Sequence, residues 1–157
     1  MSDATTPHEK TITRQQLIDR LNDDLSREYQ AIIAYVVYSQ VLKGAEYMNV
    51  ARELTKHAGE ELGHALVVSK HVDYLGGMPT VTAKAVVQSD DAREMLRADL
   101  NNEAETIRQY RERVRQCETL GEFAIAEDIR EILRDEQEHL VDLATALGEN
   151  PPDVTRR

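Results

Sequence analysis

The same set of glutamate and histidine residues occurs twice in this chain, shifted by 75 residues. In each half a single Glu is followed 33 positions later by a Glu-x-x-His motif. The six residues are Glu28, Glu61, His64, Glu103, Glu136 and His139. Glu and His three positions apart lie on one face of a helix, so both side chains can reach the same ion. Four carboxylates and two imidazoles are the ligand set of a two-metal site in a helical bundle.

Each of these glutamates interrupts an otherwise largely apolar seam. The seam through Glu28 includes Leu21, Leu25, Ile32 and Tyr35, and the seam through Glu136 includes Ile129, Ile132 and Leu143. Apolar residues at alternating spacings of three and four predict amphipathic helices that share a core. A carboxylate on such a seam points into the core, where an unpaired charge costs on the order of several kcal/mol. Four such residues at matching heights therefore predict a shared pair of divalent cations.

Composition narrows the fold and the partners. At 157 residues the chain predicts one domain, and its low aromatic content of 4% favours a helical bundle over a β-sandwich. Nineteen Lys and Arg residues against 29 Asp and Glu give a net charge of −10. Nucleic acid and anionic membrane surfaces are therefore poor partners, whereas cations are attracted.

The cellular location is predicted from what the sequence lacks. Cys117 is the single cysteine, which excludes an internal disulfide and suits a reducing compartment. No apolar run approaches the roughly 20 residues of a membrane span, and the polar N-terminus is no signal peptide. We expect a cytoplasmic protein.

Helix boundary signals predict an all-α fold with four long helices. Residues 1–9 are expected to form a flexible arm, residues 10–148 the bundle, and residues 149–157 a C-terminal tail. The predicted helices run from the Thr11/Thr13 cap candidates to about 43, from 46 to 75, from the 89–91 cap to about 118, and from just after 121 to near 148. Residues 78–88 form one long crossover, which can span the bundle and allows helix 3 to run parallel to helix 2.

Over about residues 20–147 the sequence resembles the ferritin-like superfamily, and most closely the bacterioferritins. The run from Glu131 to His139, Glu-Ile-Leu-Arg-Asp-Glu-Gln-Glu-His, carries the most specific part of this resemblance. The resemblance implies a four-helix bundle with a di-iron centre that binds two Fe(II) ions per chain and reacts with dioxygen or peroxide. It further implies the ligand roles: Glu61 and Glu136 bridge the irons, Glu28 and Glu103 are terminal ligands, and His64 and His139 each bind one iron.

Two departures from the bacterioferritin pattern change what we expect of haem binding and of assembly into a cage. Haem-binding bacterioferritins have a Met directly after the helix 2 Glu, whereas this chain has Leu62, so we expect no haem. Those proteins also end in a fifth helix that helps to close a 24-subunit cage. Here the residues after His139 include Pro151 and Pro152, which do not suit a further helix.

Several other residues are candidates with simpler alternatives. Tyr35 and Tyr110 follow Glu28 and Glu103 by seven positions; each is either a functional neighbour of the metals or a core tyrosine. Asp24 and Asp99 precede the same glutamates by one turn and are candidates to support the metal-bound histidines, or else solvated charges.

His57 lies on the seam of His64. It is a third metal position, part of an iron entry route, or a core or interface histidine whose hydrogen bonds are satisfied.

A second apolar stripe cannot face the same core. It consists of Tyr29, Ile33, Val37 and Val41 on helix 1 with Leu62 and Leu66 on helix 2. The stripe predicts a homodimer along helices 1 and 2, although a larger shell stays open.

Three functions remain after these arguments. The first is an iron oxidase that uses dioxygen or hydrogen peroxide, and the second is a rubrerythrin-like peroxidase or oxidase that retains its iron. No Cys-x-x-Cys module is present, so a peroxidase would need electrons from another protein. The third is a non-catalytic bundle that holds Zn or Mn. The mixed carboxylate and imidazole set suits Fe or Mn better than Ca or Mg.

Overall fold

A computed structural model describes residues 12–156 of the chain. The elements are α1 (Arg14–Val41), a 3-10 turn (Ala45–Tyr47), α2 (Met48–Tyr74), α3 (Ala92–Thr119) and α4 (Phe123–Leu147). The fold is therefore an all-α four-helix bundle, as the sequence predicts. The proposed arm at residues 1–9 and the cap candidate Thr11 lie outside the described residues.

The helix boundaries follow local capping chemistry. The Thr13 hydroxyl oxygen accepts a hydrogen bond from the Gln16 backbone N–H, and the Thr13 backbone N–H donates to the Gln16 side-chain oxygen, which forms a capping box. Asp91 caps α3 by accepting from the Glu94 backbone N–H. Gly148 ends α4 at φ 73°, a left-handed conformation that costs glycine little. Both N-terminal caps are among the predicted candidates.

The long crossover between α2 and α3 runs along α1. Near the start of α1, the Asn22 side chain exchanges hydrogen bonds with the backbone at Met78 and Thr80. Near its end, the Tyr38 hydroxyl donates to the carbonyl of Val87. The crossover therefore carries the chain from one end of the bundle to the other. As the sequence predicts, α3 then runs antiparallel to α1 and parallel to α2.

Two apolar clusters fill the bundle and leave a polar layer between them. Cluster A includes Leu17, Leu21, Leu25, Val68, Val72, Ile125 and Ile129. Cluster B includes Tyr38, Leu54, Leu96, Leu100, Leu140 and Leu143. On α1, α2 and α4 the residues Glu28, Glu61 and Glu136 fall between the stretches that belong to these two clusters. The polar layer is thus sealed at both ends by apolar side chains.

The C-terminal tail contains no helix up to residue 156, in agreement with its two prolines. It nevertheless contacts the bundle: Glu149 pairs with Arg97, and the Arg108 guanidinium donates to the carbonyl of Arg156. Val154 packs against cluster B. Among residues 12–156, no helix is both long and apolar enough to cross a bilayer.

Candidate metal centre

The six repeated residues meet in the polar layer. Each of the four helices contributes one glutamate, and α2 and α4 also contribute one histidine each, one turn after the glutamate. All six side chains are buried; they are Glu28, Glu61, His64, Glu103, Glu136 and His139. The structure therefore brings together residues that are up to 111 positions apart in the chain.

The side chains form two overlapping clusters with ligand atoms within 4.8 Å of one another. The first cluster contains Glu28 and His64, the second contains Glu103 and His139, and both contain Glu61 and Glu136. Nδ1 of His64 lies 2.9 Å from Oε1 of Glu136, and Nδ1 of His139 lies 2.8 Å from Oε1 of Glu61. Two positions that share two carboxylates is the arrangement required by a pair of bridged cations.

Several buried atoms in this layer have no hydrogen-bond partner among the described residues. They are Oε2 of Glu28, Oε1 of Glu61, both carboxylate oxygens of Glu136, and Nδ1 of His139. The short distance between His139 and Glu61 is thus a close approach without hydrogen-bond alignment. Unpartnered buried oxygen and nitrogen atoms are costly and rare in folded proteins. Divalent cations would satisfy all of them at once, so the residues present fit a two-metal centre.

Without bound cations, protonation of the buried side chains would offset the negative charge of the layer. Burial raises the pKa values of Glu61 and Glu103 well above their usual range, and the negative charge of Glu136 raises them further. Burial opposes the charged form of His139, yet Glu136 and Glu103 raise its pKa to about 9. Burial likewise opposes the charged form of His64, yet Glu136, Glu28 and Glu61 raise its pKa. Cations must therefore displace protons from this layer.

The outward nitrogen of each histidine contacts a carboxylate on the facing helix. Nε2 of His64 lies 2.9 Å from Asp135, and Nε2 of His139 lies 2.6 Å from Glu60. These contacts orient Nδ1 of both rings towards the centre. The sequence analysis missed Glu60 and Asp135, although they too lie 75 positions apart and belong to the repeat.

The sequence makes Asp24 and Asp99 candidates to support the metal-bound histidines, but the structure shows other surroundings for both. Neither aspartate contacts a histidine of the layer among residues 12–156. Asp24 is buried and forms a two-pronged ion pair with Arg113, at 2.6 and 3.1 Å. Asp99 is also buried, but its Oδ2 atom has no partner in the described part of the chain. The pseudo-symmetry fails here because the counterpart of Arg113 in the first half is Tyr38.

Both candidate tyrosines contact glutamates of the layer, and they do so across the repeat. Tyr35 on α1 donates a 2.5 Å hydrogen bond to Oε1 of Glu103 on α3. Tyr110 on α3 donates to Oε1 of Glu28 on α1. Burial raises the pKa of both hydroxyl groups, and the adjacent carboxylates raise them further. Both groups are therefore protonated donors at neutral pH.

His57 lies beside the layer and not in it. Its ring stacks on that of His139, with centroids 4.0 Å apart, and its Nε2 lies 3.1 Å from Asp142. The side chain is buried in the bundle.

Comparison with known proteins identifies the family. A family model described as a ferritin-like domain matches residues 18–150. The chain belongs to the ferritin-like family. Among curated proteins, the bacterioferritin of Brucella melitensis is 29% identical over 133 residues, which cover 84% of this chain and 83% of that protein. The bacterioferritin of Desulfovibrio desulfuricans is 27% identical over 81% of this chain and 72% of its own length.

A solved structure agrees with this assignment. A protein of Bacillus anthracis, described as ferritin-like and diiron-carboxylate, superposes with a TM-score of 0.82 at 32% identity. The match covers 85% of this chain and 96% of that chain. The resemblance to ferritin-like proteins and bacterioferritins found in the sequence is thus confirmed.

Proposed function

We propose that this protein binds two Fe(II) ions per chain in the six-residue layer and oxidises them with dioxygen or hydrogen peroxide. The observation that carries this proposal is the pair of overlapping clusters that share Glu61 and Glu136. The buried atoms without partners support it, because two divalent cations would satisfy all of them. The di-iron carboxylate neighbour and the bacterioferritin relatives favour iron over other ions.

Each side chain has a distinct part in this proposal. Glu61 and Glu136 would be shared by the two ions, Glu28 and Glu103 would each bind one ion, and His64 and His139 would complete the set through Nδ1. Bound Fe(II) supplies the electrons that reduce the oxidant. The acceptor oxygens and imidazoles suit iron or manganese, and zinc is the alternative ion.

The surrounding residues hold this ligand set in place. The Tyr35 and Tyr110 hydroxyls fix one oxygen each of Glu103 and Glu28. The second oxygen of Glu28, Oε2, has no hydrogen-bond partner among the described residues and is available to an ion. Glu60 and Asp135 fix the imidazoles from outside. The apolar clusters A and B exclude water from both ends of the layer, which strengthens charge interactions inside it.

Haem is not part of the proposal. The residue after the α2 glutamate is Leu62, whose side chain is 54% exposed and offers no lone pair to a haem iron. Protein purified from haem-sufficient cells should show no Soret band, and such a band would contradict this prediction.

We also propose a cytoplasmic homodimer. Ile33, Val37 and Val41 on α1 and Leu62 and Leu66 on α2 are all exposed apolar side chains. They are five of the six residues of the stripe that the sequence assigns to a partner chain. The sixth, Tyr29, is half-buried, and its hydroxyl donates to the carbonyl of Thr80 in the crossover. Light scattering should give about 36 kDa, which is twice the 17.8 kDa of the chain. A particle of several hundred kDa would instead indicate a closed shell.

The experiment that tests the function is anaerobic loading with Fe(II), followed by stopped-flow mixing with dioxygen or with hydrogen peroxide. An oxidase gives Fe(III) at a rate well above that of free Fe(II), and the Glu61→Ala protein does not. A rubrerythrin-like peroxidase would react with peroxide and keep its iron through repeated cycles. A non-catalytic bundle would show no acceleration with either oxidant.

A further inference from the structure

Helices α2 and α4 carry a row of histidine–carboxylate pairs along their common edge. His57 lies 3.1 Å from Asp142, and His71 lies 2.7 Å from Asp128. Between them, His64 contacts Asp135. Each step of seven residues forward on α2 is matched by seven residues backward on α4, which is the register of an antiparallel pair. The centre uses His64, whereas His57 and His71 have no part in the proposed function.

The two unused histidines differ in their surroundings. Glu53 lies one turn before His57 on α2, and its carboxylate joins His57 and Asp142 in a group whose ligand atoms all lie within 4.8 Å of one another. No such group forms around His71 in the described part of the chain. Of these two pairs, only His57 and Asp142 therefore have a third ligand residue beside them, so that three ligand atoms converge on one point.

The position of His57 favours a ligand over a simple core contact. The residue is only 1% exposed, and the nitrogen that it presents to Asp142 is Nε2, at 3.1 Å. His57, Glu53 and Asp142 line one cavity of about 190 Å³. Such a cavity has room for an ion together with several water molecules. Glu53 and Asp142 are exposed, so the cavity is accessible from solvent.

We propose that Glu53, His57 and Asp142 bind one divalent first-row transition-metal ion. Two carboxylates and one imidazole suit Mn, Fe, Co or Zn, and the imidazole disfavours Ca and Mg. None of the three residues belongs to the six-residue layer, so this site does not rest on the proposed function. Because the His57 ring stacks on that of His139, a ligand of the third site directly contacts a ligand of the candidate centre.

Equilibrium dialysis against Co(II), with metal counted by mass spectrometry, tests the site. The His57→Ala protein should bind one Co(II) fewer per chain than the wild type. The double variant Glu53→Gln/Asp142→Asn changes only exposed positions, and it should lose the same single ion even if His57→Ala is poorly folded. The matched control His71→Ala removes the other unused histidine of the row and should keep the wild-type count.

A variant that lacks the shared glutamates of the six-residue layer separates this site from the proposed centre. The double variant Glu61→Ala/Glu136→Ala should retain one Co(II), and addition of Asp142→Asn should remove it. If the two-metal proposal alone is wrong, the wild type binds one Co(II), and Glu53→Gln/Asp142→Asn abolishes that binding. If Glu53→Gln/Asp142→Asn and the wild type bind equal amounts of Co(II), the third site is refuted.

Discussion

Glu60 and His139 lie on facing helices, and Oε2 of Glu60 is 2.6 Å from Nε2 of His139. The other ring nitrogen of His139 faces Glu61, the residue next to Glu60 in the chain. Asp135 and His64 repeat this relationship in the opposite sense. Each of the two helices thus presents an inner carboxylate, Glu61 or Glu136, to the centre. The outer carboxylate next to it in the chain, Glu60 or Asp135, contacts the histidine of the other helix.

Removal of an outer carboxylate should weaken metal binding without removing a ligand. Glu60→Gln and Asp135→Asn take away the charge that holds an imidazole in the right orientation and tautomer. We expect the affinity for Fe(II) at one of the two positions to fall by about 10- to 100-fold. Anaerobic titration measures this fall, and Glu127→Gln, an exposed change on α4, is the control that should match the wild type. Unchanged affinity in both variants would mean that these contacts do not support the ligands.

The shared glutamates should behave differently from the histidines. Because Glu61 and Glu136 belong to both clusters, Glu61→Ala or Glu136→Ala should abolish both bound ions. His64 and His139 belong to one cluster each, so His64→Ala or His139→Ala should weaken one position first. Metal analysis after dialysis distinguishes these outcomes. Loss of a single ion in Glu61→Ala would argue against a bridging role.

Metal should stabilise the fold strongly. Ions that bind only the folded chain raise the free energy of unfolding by RT ln(1 + [L]/Kd), about 2.7 kcal/mol at 100 times Kd. We expect the Fe(II)-loaded protein to melt well above the chelator-treated protein under anaerobic conditions. Differential scanning calorimetry measures the shift. Equal melting temperatures would indicate that the buried glutamates need no cation.

The unpaired Asp99 predicts a specific pH dependence of stability. Burial raises the pKa of Asp99 well above its usual value. A raised carboxyl pKa leaves the fold unaffected below the unfolded-state pKa of about 3.9 and destabilises it as the pH rises towards the folded-state value. Asp99→Asn does not titrate, so its stability advantage over the metal-free wild type should grow with pH, by up to about 1.4 kcal/mol per pH unit.

Denaturant unfolding of both metal-free proteins at several pH values measures this difference. The control is Asp24→Asn, because Asp24 has the partner that Asp99 lacks. It leaves the Arg113 guanidinium buried without its counterion and should destabilise the fold by about 3 to 5 kcal/mol. A difference between Asp99→Asn and wild type that does not vary with pH would show that Asp99 is solvated.

Helical periodicity in the sequence predicted the four-helix fold. The glutamates among the six central residues could be recognised because they interrupt that periodicity. A glutamate such as Glu28 on an apolar seam cannot be explained as an ordinary surface charge, so it could be recognised without a structure. Glu60 could not be recognised in this way. It lies where α2 meets solvent, and periodicity cannot distinguish such a position from an ordinary surface charge. Only its repeat partner Asp135 could have indicated it.

The repeat also predicted equivalent roles for residues whose surroundings differ between the two halves. Asp24 and Asp99 are equivalent in sequence, yet Arg113 pairs with one of them and Tyr38 occupies the equivalent position near the other. Which partner a buried aspartate finds depends on long side chains from another helix. That information is absent from the spacing of the aspartates themselves.

The most direct test of the central claim is anomalous diffraction at the iron edge from crystals loaded anaerobically with Fe(II). The account predicts two iron peaks in the polar layer, one beside Nδ1 of His64 and one beside Nδ1 of His139, with Glu61 and Glu136 in contact with both; a peak beside His57 would belong to the separate third site. A single peak in the layer, or iron bound only at the surface of the bundle, would contradict it.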